Sequence, residues 1–166
     1  MIIRRERSGE ESAIHALTQA AFAPQTFSDG TEGAIIDALR KAGDLALSLV
    51  AENDGEIIGH VAFSPVQISA ASGNWYGLGP ISVRKDKQRQ GIGRGLIEAG
   101  ITEISQWGAA GCALTGNPEI YQRIGFLSDG TLHHKGTDDR YVLWRIINGT
   151  APTGKLVFAP AFDDAQ

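Results

Sequence analysis

Apolar residues along the chain follow two rhythms, one of helices and one of strands. Residues 2–7 set an isoleucine pair among charges, the pattern of a short opening strand. Over 10–22, Ile14, Leu17 and Ala21 recur at helical spacing, with Ser8 as a candidate N-cap. Residues 23–30 carry Pro24, Phe27 and Asp29 and read as a loop. A second helix is predicted over 31–42, with Ile35, Ile36 and Leu39 on one face and Gly43 ending it. Over 45–52, Leu45, Leu47 and Leu49 fall on one side of a strand. Asp54-Gly55 then signals a tight hairpin, and 56–68 returns as a strand with Ile57, Val61 and Phe63 sharing a face.

The second half is organised differently. Residues 75–83 read as a strand interrupted at Gly79-Pro80. Proline has no N–H to donate to a ladder, so this point marks a bulge, a local separation of strands, or an edge. After a basic turn, a helix is predicted over 92–107, where Ile92, Leu96, Ile97, Ile101, Ile104 and Trp107 fit a 3.6-residue period. Residues 111–115 form a short buried strand and 119–124 a short helix. A strand over 140–147 alternates as Tyr141, Leu143 and Arg145, and 156–158 adds one more. The strand–turn–helix–strand order in the middle predicts a right-handed crossover and a locally parallel pair. Without repeats, low-complexity segments or linkers, residues 1–166 read as one α/β (α+β) domain.

Composition narrows the class. A chain of 166 residues, 42% hydrophobic and 20% charged, can bury a core as a globular domain does. Its net charge of -4 offers no global basic field for nucleic acid or for an anionic membrane, and neither is expected as a partner. Met1-Ile2-Ile3-Arg4-Arg5-Glu6-Arg7 has no apolar stretch suited to a signal peptide. No run approaches the roughly 18 apolar residues of a membrane span. Cys112 is the only cysteine, so neither a disulfide nor a thiolate metal site is expected. His15, His60, His133 and His134 have the wrong spacing for a zinc cluster. No metal is expected, and a reducing cytoplasm is the expected setting.

Charge is concentrated in one place. Between a strand and a helix lies Val83-Arg84-Lys85-Asp86-Lys87-Gln88-Arg89-Gln90-Gly91-Ile92-Gly93-Arg94-Gly95-Leu96. Its five basic residues, Arg84, Lys85, Lys87, Arg89 and Arg94, fall within eleven positions and make up a third of all 15. A helix N-terminus offers unpaired N–H groups and partial positive charge, and glycines let a phosphate approach closely. A basic turn capped by glycine is the competing reading of this segment alone. A dinucleotide fingerprint is excluded, because Leu96 stands where its third glycine belongs. The stretch 149–155 opens like a P-loop, but Leu156 replaces the magnesium-binding hydroxyl and Val157-Phe158 is strand-like.

Gln88-Arg89-Gln90-Gly91-Ile92-Gly93 resembles the Gln/Arg-x-x-Gly-x-Gly/Ala signature of the GNAT superfamily of N-acetyltransferases. It follows a strand ending Ile81-Ser82-Val83, at the spacing of that family. Further on, Asn117-Pro118-Glu119-Ile120-Tyr121-Gln122-Arg123-Ile124-Gly125-Phe126 resembles the family's second landmark, an Asn followed by Tyr-x-x-x-Gly-Phe. The resemblance covers nearly the whole chain, since the helical pair and hairpin also match. Phe158-Ala159-Pro160-Ala161-Phe162 is similar to the ending of a small bacterial branch of the family. One departure is Lys85, where proline is usual; it loosens the turn and removes no donor.

The resemblance implies a mixed central sheet with splayed parallel strands, flanked by helices. It implies acetyl transfer from acetyl-CoA to a primary amine, by direct attack in a ternary complex. The amides of Arg89, Gln90, Gly91, Ile92, Gly93 and Arg94 would bind pyrophosphate, assisted by the Gln88 side chain. The backbone of Ile81, Ser82 and Val83 would pair with pantetheine, one amide polarising the thioester carbonyl. Tyr121 would be the general acid for the leaving thiolate, or else a packing aromatic. Asn117 would bond the pantetheine arm or cap the helix that Pro118 begins. His60 is a candidate general base or a structural histidine. Glu52, Glu32, the His133-His134 pair and a water chain are the other candidates, while Phe27 and Asp29 would shape the acceptor pocket. A peptide or small-molecule amine is the implied partner, and a homodimer stays open. A non-catalytic acyl-CoA-binding sensor is the competing function.

Overall fold

The structure is a computed structural model that describes residues 1–24 and 28–164. Phe27 lies outside the described residues. The elements run β1 (Ile2–Arg5), α1 (Glu11–Phe22), α2 (Glu32–Ala42), β2 (Leu47–Asn53), β3 (Glu56–Ala70) and β4 (Trp75–Val83). They continue with α3 (Ile92–Gln106), β5 (Gly111–Thr115), α4 (Pro118–Tyr121), β6 (Leu132–His133), β7 (Val142–Ile146), β8 (Thr153–Val157) and α5 (Ala161–Asp164). The class is α/β, with an open mixed sheet in the order β1-β2-β3-β4-β5-β7 and helices against it. The described residues divide into two compact units.

The first unit holds Met1–Ser64, Gly79–Gly100 and the C-terminal segment from Ala159. Helix α1 starts one residue after Glu10, and Ser8 is not its cap: Glu10 accepts from Arg7 N at 2.6 Å and pairs with Arg4 at 2.7 Å. Strand β2 begins at Leu47, later than expected, because the amides of Asp44 and Leu45 close α2 by bonding Leu39 O. At the hairpin tip, Asp54 and Gly55 both take left-handed backbone, with φ of 51° and 78°. A bulge between Ala51 and Glu52 in the β2–β3 register inverts the alternation there. Ile57 therefore packs with Ile14, Ile36, Val50 and Ala62 instead of sharing the face of Val61 and Phe63. On the opposite face, α3 sits so close to β3 that a Cβ on Gly100 would overlap the Phe63 ring at 2.2 Å. The short helix α5, absent from the sequence reading, packs Ala159 and Ala161 against Ile35 and Leu39 of α2.

The second unit holds Pro65–Leu78 and Ile101–Phe158. Here β4 pairs with β5 in parallel from Trp75↔Gly111 to Gly77↔Ala113, as the crossover predicts. Strand β5 pairs antiparallel with β7 from Gly111↔Ile146 to Thr115↔Val142. Residues 139–141 form a 3-10 turn, so Tyr141 lies outside the strand. Strand β8 pairs with both β3 and β6, and β6 is too short to show periodicity in sequence. The P-loop-like stretch 149–155 thus runs into a strand, not a helix. Val66, Trp75, Ala113, Leu132, Val142, Trp144 and Leu156 form the core of this unit. Trp107 lies beyond the end of α3, exposed, with its ring edge-on to Tyr76.

Candidate active site

In the first unit, residues 84–91 turn from β4 into α3. Asp86 and Glu56 both bind the Arg84 guanidinium at 2.7 Å, so one of the five basic residues is neutralised within the protein. The Gln88 side chain donates to Val83 O at 3.0 Å and Gln90 to Asp86 O at 3.4 Å, which braces the turn. Arg89 and Gly91 both have positive φ, 63° and 84°, and both are exposed. Ile92 is buried and anchors the helix, while Arg94 points to solvent. Among the described residues neither Arg89 nor Arg94 has an ion-pair partner. Gly93 is helical, and a Cβ there would find Val83 Cγ2 at 3.8 Å and Ile81 Cδ1 at 3.9 Å. The fold itself leaves room for a side chain at Gly93.

The last residues of β4 have a defined orientation. Arg84 N donates to Ile58 O at 2.8 Å, whereas Val83 O takes the Gln88 amide. Backbone groups of a strand alternate in direction. Ser82 therefore directs its amide toward β3, and Ile81 and Val83 direct theirs to the other edge. Side chains alternate as well: Ile81 and Val83 face α3, and buried Ser82 faces α1, where its hydroxyl lies 3.4 Å from that of Thr18. The Gly79-Pro80 peptide is cis.

In the second unit, Asn117 caps α4, its Oδ1 accepting from Glu119 N at 3.0 Å with Pro118 at the first helical position. Tyr121 is half-buried, its ring edge-on to Phe126 at 6.0 Å. A Cβ on Gly116 would meet the Tyr121 ring at 2.6 Å, so glycine is needed there to seat the tyrosine. Burial pushes the Tyr121 hydroxyl up, which keeps its proton on. The Cys112 thiol is fully buried and also pushed up by burial, which makes it a poor nucleophile.

His60 lies inside the first unit with no exposed surface. Its Nε2 is 2.8 Å from Ser48 Oγ, and the Ser48 hydroxyl donates to Glu6, which Arg40 also binds. Since Ser48 gives its proton to Glu6, its oxygen accepts from His60 Nε2–H, and Nδ1 is a lone pair without a partner. Burial lowers His60 to about 4, against an opposing pull from Glu6. A position at the surface of a cleft, expected for a base, is not where the chain folds it. Of the other candidates, Glu52 binds Arg4 at 2.8 Å and Glu32 accepts from Ser28 at 2.7 Å. Asp29 accepts from Thr31 N at 3.1 Å. His133 pairs with Asp139 at 2.8 Å, and His134 contacts Thr137 and the Phe158 ring. A further pair, His15 with Asp37 at 2.7 Å, has no signature in sequence, because its partners sit on different helices.

Comparison with known proteins agrees with this architecture. An acetyltransferase (GNAT) domain family matches residues 44–127, from before β2 to just past the landmark around Tyr121. An Escherichia coli K12 protein described as "Uncharacterized N-acetyltransferase YhbS" is 32% identical over 153 residues, covering 88% of this chain and 87% of its own. The chain belongs to the GNAT acetyltransferase family. Among solved GNAT structures, a Brucella melitensis acetyltransferase in complex with acetyl-CoA is similar at 42% identity and a TM-score of 0.86, over 98% of this chain and 97% of that one. The E. coli YhbS structure in complex with CoA is 28% identical, with a TM-score of 0.88 over 98% and 91% of the two chains. The two GNAT landmarks of the sequence fall at the exposed glycine turn before α3 and at half-buried Tyr121 after β5. Among the described residues, no group of metal-ligating side chains and no helix able to cross a membrane is present.

Proposed function

We propose that this GNAT protein binds acetyl-CoA and transfers its acetyl group to a primary amine, by direct attack in a ternary complex. The observation that carries the reading is the turn into α3. It is exposed and cationic, and at Gly93 it keeps a glycine that the protein's own packing does not demand. A phosphate held by N–H groups at a helix N-terminus needs that absence of Cβ. Amides from Arg89 to Arg94 would hold the pyrophosphate, with the Arg89 and Arg94 guanidinium groups as charge partners. Similar GNAT structures carry acetyl-CoA or CoA, which supports the same ligand here.

The alternation along β4 refines the roles. Ile81 and Val83, not Ser82, direct their amides away from β3, where they would pair with pantetheine and polarise a thioester carbonyl. Gln88 contributes by bracing the turn through Val83 O, and Asn117 by capping α4. Acetyl-CoA supplies an activated acetyl carbon. Tyr121 holds a proton for the departing sulfur, and its burial keeps that proton in place at neutral pH. His60 is structural in this reading, since no part of it reaches the surface.

The test is calorimetric titration with coenzyme A and acetyl-CoA, followed by thiol release with a panel of amines. Micromolar binding with amine-dependent thiol release is expected. Absence of binding by either ligand overturns the reading, and binding without turnover for any amine would leave a sensor.

A further inference from the structure

Because β5 and β7 are antiparallel with Thr115 opposite Val142, the end of β5 and the start of β7 share one edge of the second unit. Tyr121 follows from β5 through the Asn117 cap, and the turn 139–141 leads into β7. The two are joined directly: Gly116 N donates to Tyr141 O at 2.9 Å, and Gly116 is the residue against which the Tyr121 ring rests. On the same turn, Asp139 accepts from His133 Nδ1 at 2.8 Å.

That turn is held firmly. Asp138 Oδ1 accepts from Arg140 N at 3.0 Å, Ser128 Oγ donates to Asp139 O at 2.8 Å, and the Arg140 guanidinium lies 4.6 Å from the centre of the Tyr141 ring. His133 is pinned from behind as β6, in register with Lys155 of β8. With Asp139 accepting, Nδ1 carries the proton and Nε2 presents a lone pair. The histidine is 54% exposed, so that lone pair is accessible.

We propose that His133 is the general base of acetyl transfer and that Asp139 is its positioning residue. The proposal rests on the acetyltransferase reading above. An ammonium acceptor gives one proton to His133 Nε2, and its nitrogen lone pair is freed for attack. The N–C bond forms and the thioester C–S bond breaks. The thiolate takes the Tyr121 proton, the amide nitrogen's surplus proton restores Tyr121, and His133 passes its own proton to water. Per turnover, one proton is released. The carboxylate of Asp139 stabilises the imidazolium without being protonated, the division of labour known from histidine–aspartate pairs. Lys155, Lys135, His134, Asp138, Arg140, Tyr141 and, on β7, Arg145 are the other titratable groups on the elements around it.

The experiment measures thiol release from acetyl-CoA with spermidine, free lysine, kanamycin and an alanine-initiated peptide, between about pH 6 and 10. The variants are His133→Gln, Asp139→Asn and, as control, His15→Gln. His133→Gln should lose roughly 10²-fold in kcat near neutrality, with coenzyme A affinity unchanged by calorimetry. The defect should shrink as pH approaches the acceptor's own pKa, about 8 for the peptide's α-amino group and about 10 for a lysine ε-amino group, where no base is needed. Asp139→Asn should show a smaller loss with the same pH trend, and His15→Gln should match wild type. A His133→Gln enzyme as active as wild type, or a defect equal at every pH, overturns the proposal and leaves the acetyltransferase reading intact. A wild type that acetylates none of the amines overturns both.

Discussion

Position 93 could hold an alanine as far as the protein's own atoms are concerned, and position 91 could not without strain. Gly93→Ala should therefore leave the melting temperature almost unchanged and weaken coenzyme A binding at least tenfold by calorimetry. Gly91 has a φ of 84°, so Gly91→Ala should also cost stability, about 1 kcal/mol in chemical unfolding. Equal loss of stability in the two variants would mean that both glycines serve the fold. Tyr121→Phe keeps the ring and its contact with Phe126 and removes only the hydroxyl. Its kcat should fall roughly 10²-fold in steady-state assays, with acetyl-CoA affinity retained. His60 makes a different prediction, about stability. Its folded value of about 4 lies below the unfolded imidazole's 6.5, so between these values the unfolded chain binds more protons and stability rises with pH. Acidification through that window should remove up to about 3 kcal/mol, read from urea midpoints. His60→Gln should flatten that acid arm; an unchanged arm would assign it to other groups.

At the scale of elements, the charge on the turn before α3 is unevenly distributed. Arg84 is engaged by Glu56 and Asp86, whereas Arg89 and Arg94 have no such partners among the described residues. Removing Arg89 and Arg94 together should weaken coenzyme A binding and flatten its dependence on salt. Arg84→Ala should do much less of either, as calorimetry at several ionic strengths would show. Counting basic residues in the sequence overstated this site, because side-chain pairing to Glu56, 28 positions away, has no local pattern. Helices with a strong apolar stripe, such as α2 and α3, and the hairpin at Asp54-Gly55 were legible from periodicity and turn chemistry. The bulge that displaces Ile57, the two-residue β6 and the four-residue α5 were not, since each depends on what it packs against. Within the site, the turn and Tyr121 were legible as motifs. The seat provided by Gly116 and the Asp139 partner of His133 depend on strand register, which sequence spacing does not reveal.

For the whole molecule, the two units have separate apolar clusters, one centred on Ile14, Ile36 and Val50 and the other on Trp75, Trp144 and Leu156. Yet β3, β4 and α3 each run unbroken through both. Residues 1–166 should accordingly unfold as one cooperative domain, without a populated intermediate. Means of observing this are built into the chain. Its three tryptophans, Trp75, Trp107 and Trp144, all belong to the second unit, and helices α1 and α2 belong to the first. Indole emission is therefore an optical label for one half, and far-ultraviolet circular dichroism weights the other. Coincident denaturation curves from the two signals would show a single transition, and separated midpoints would show two. The same asymmetry makes emission blind to local disturbance at the glycine turn. A Gly91 variant that frays α3 near its start would lose ellipticity while its fluorescence spectrum stayed that of the native protein.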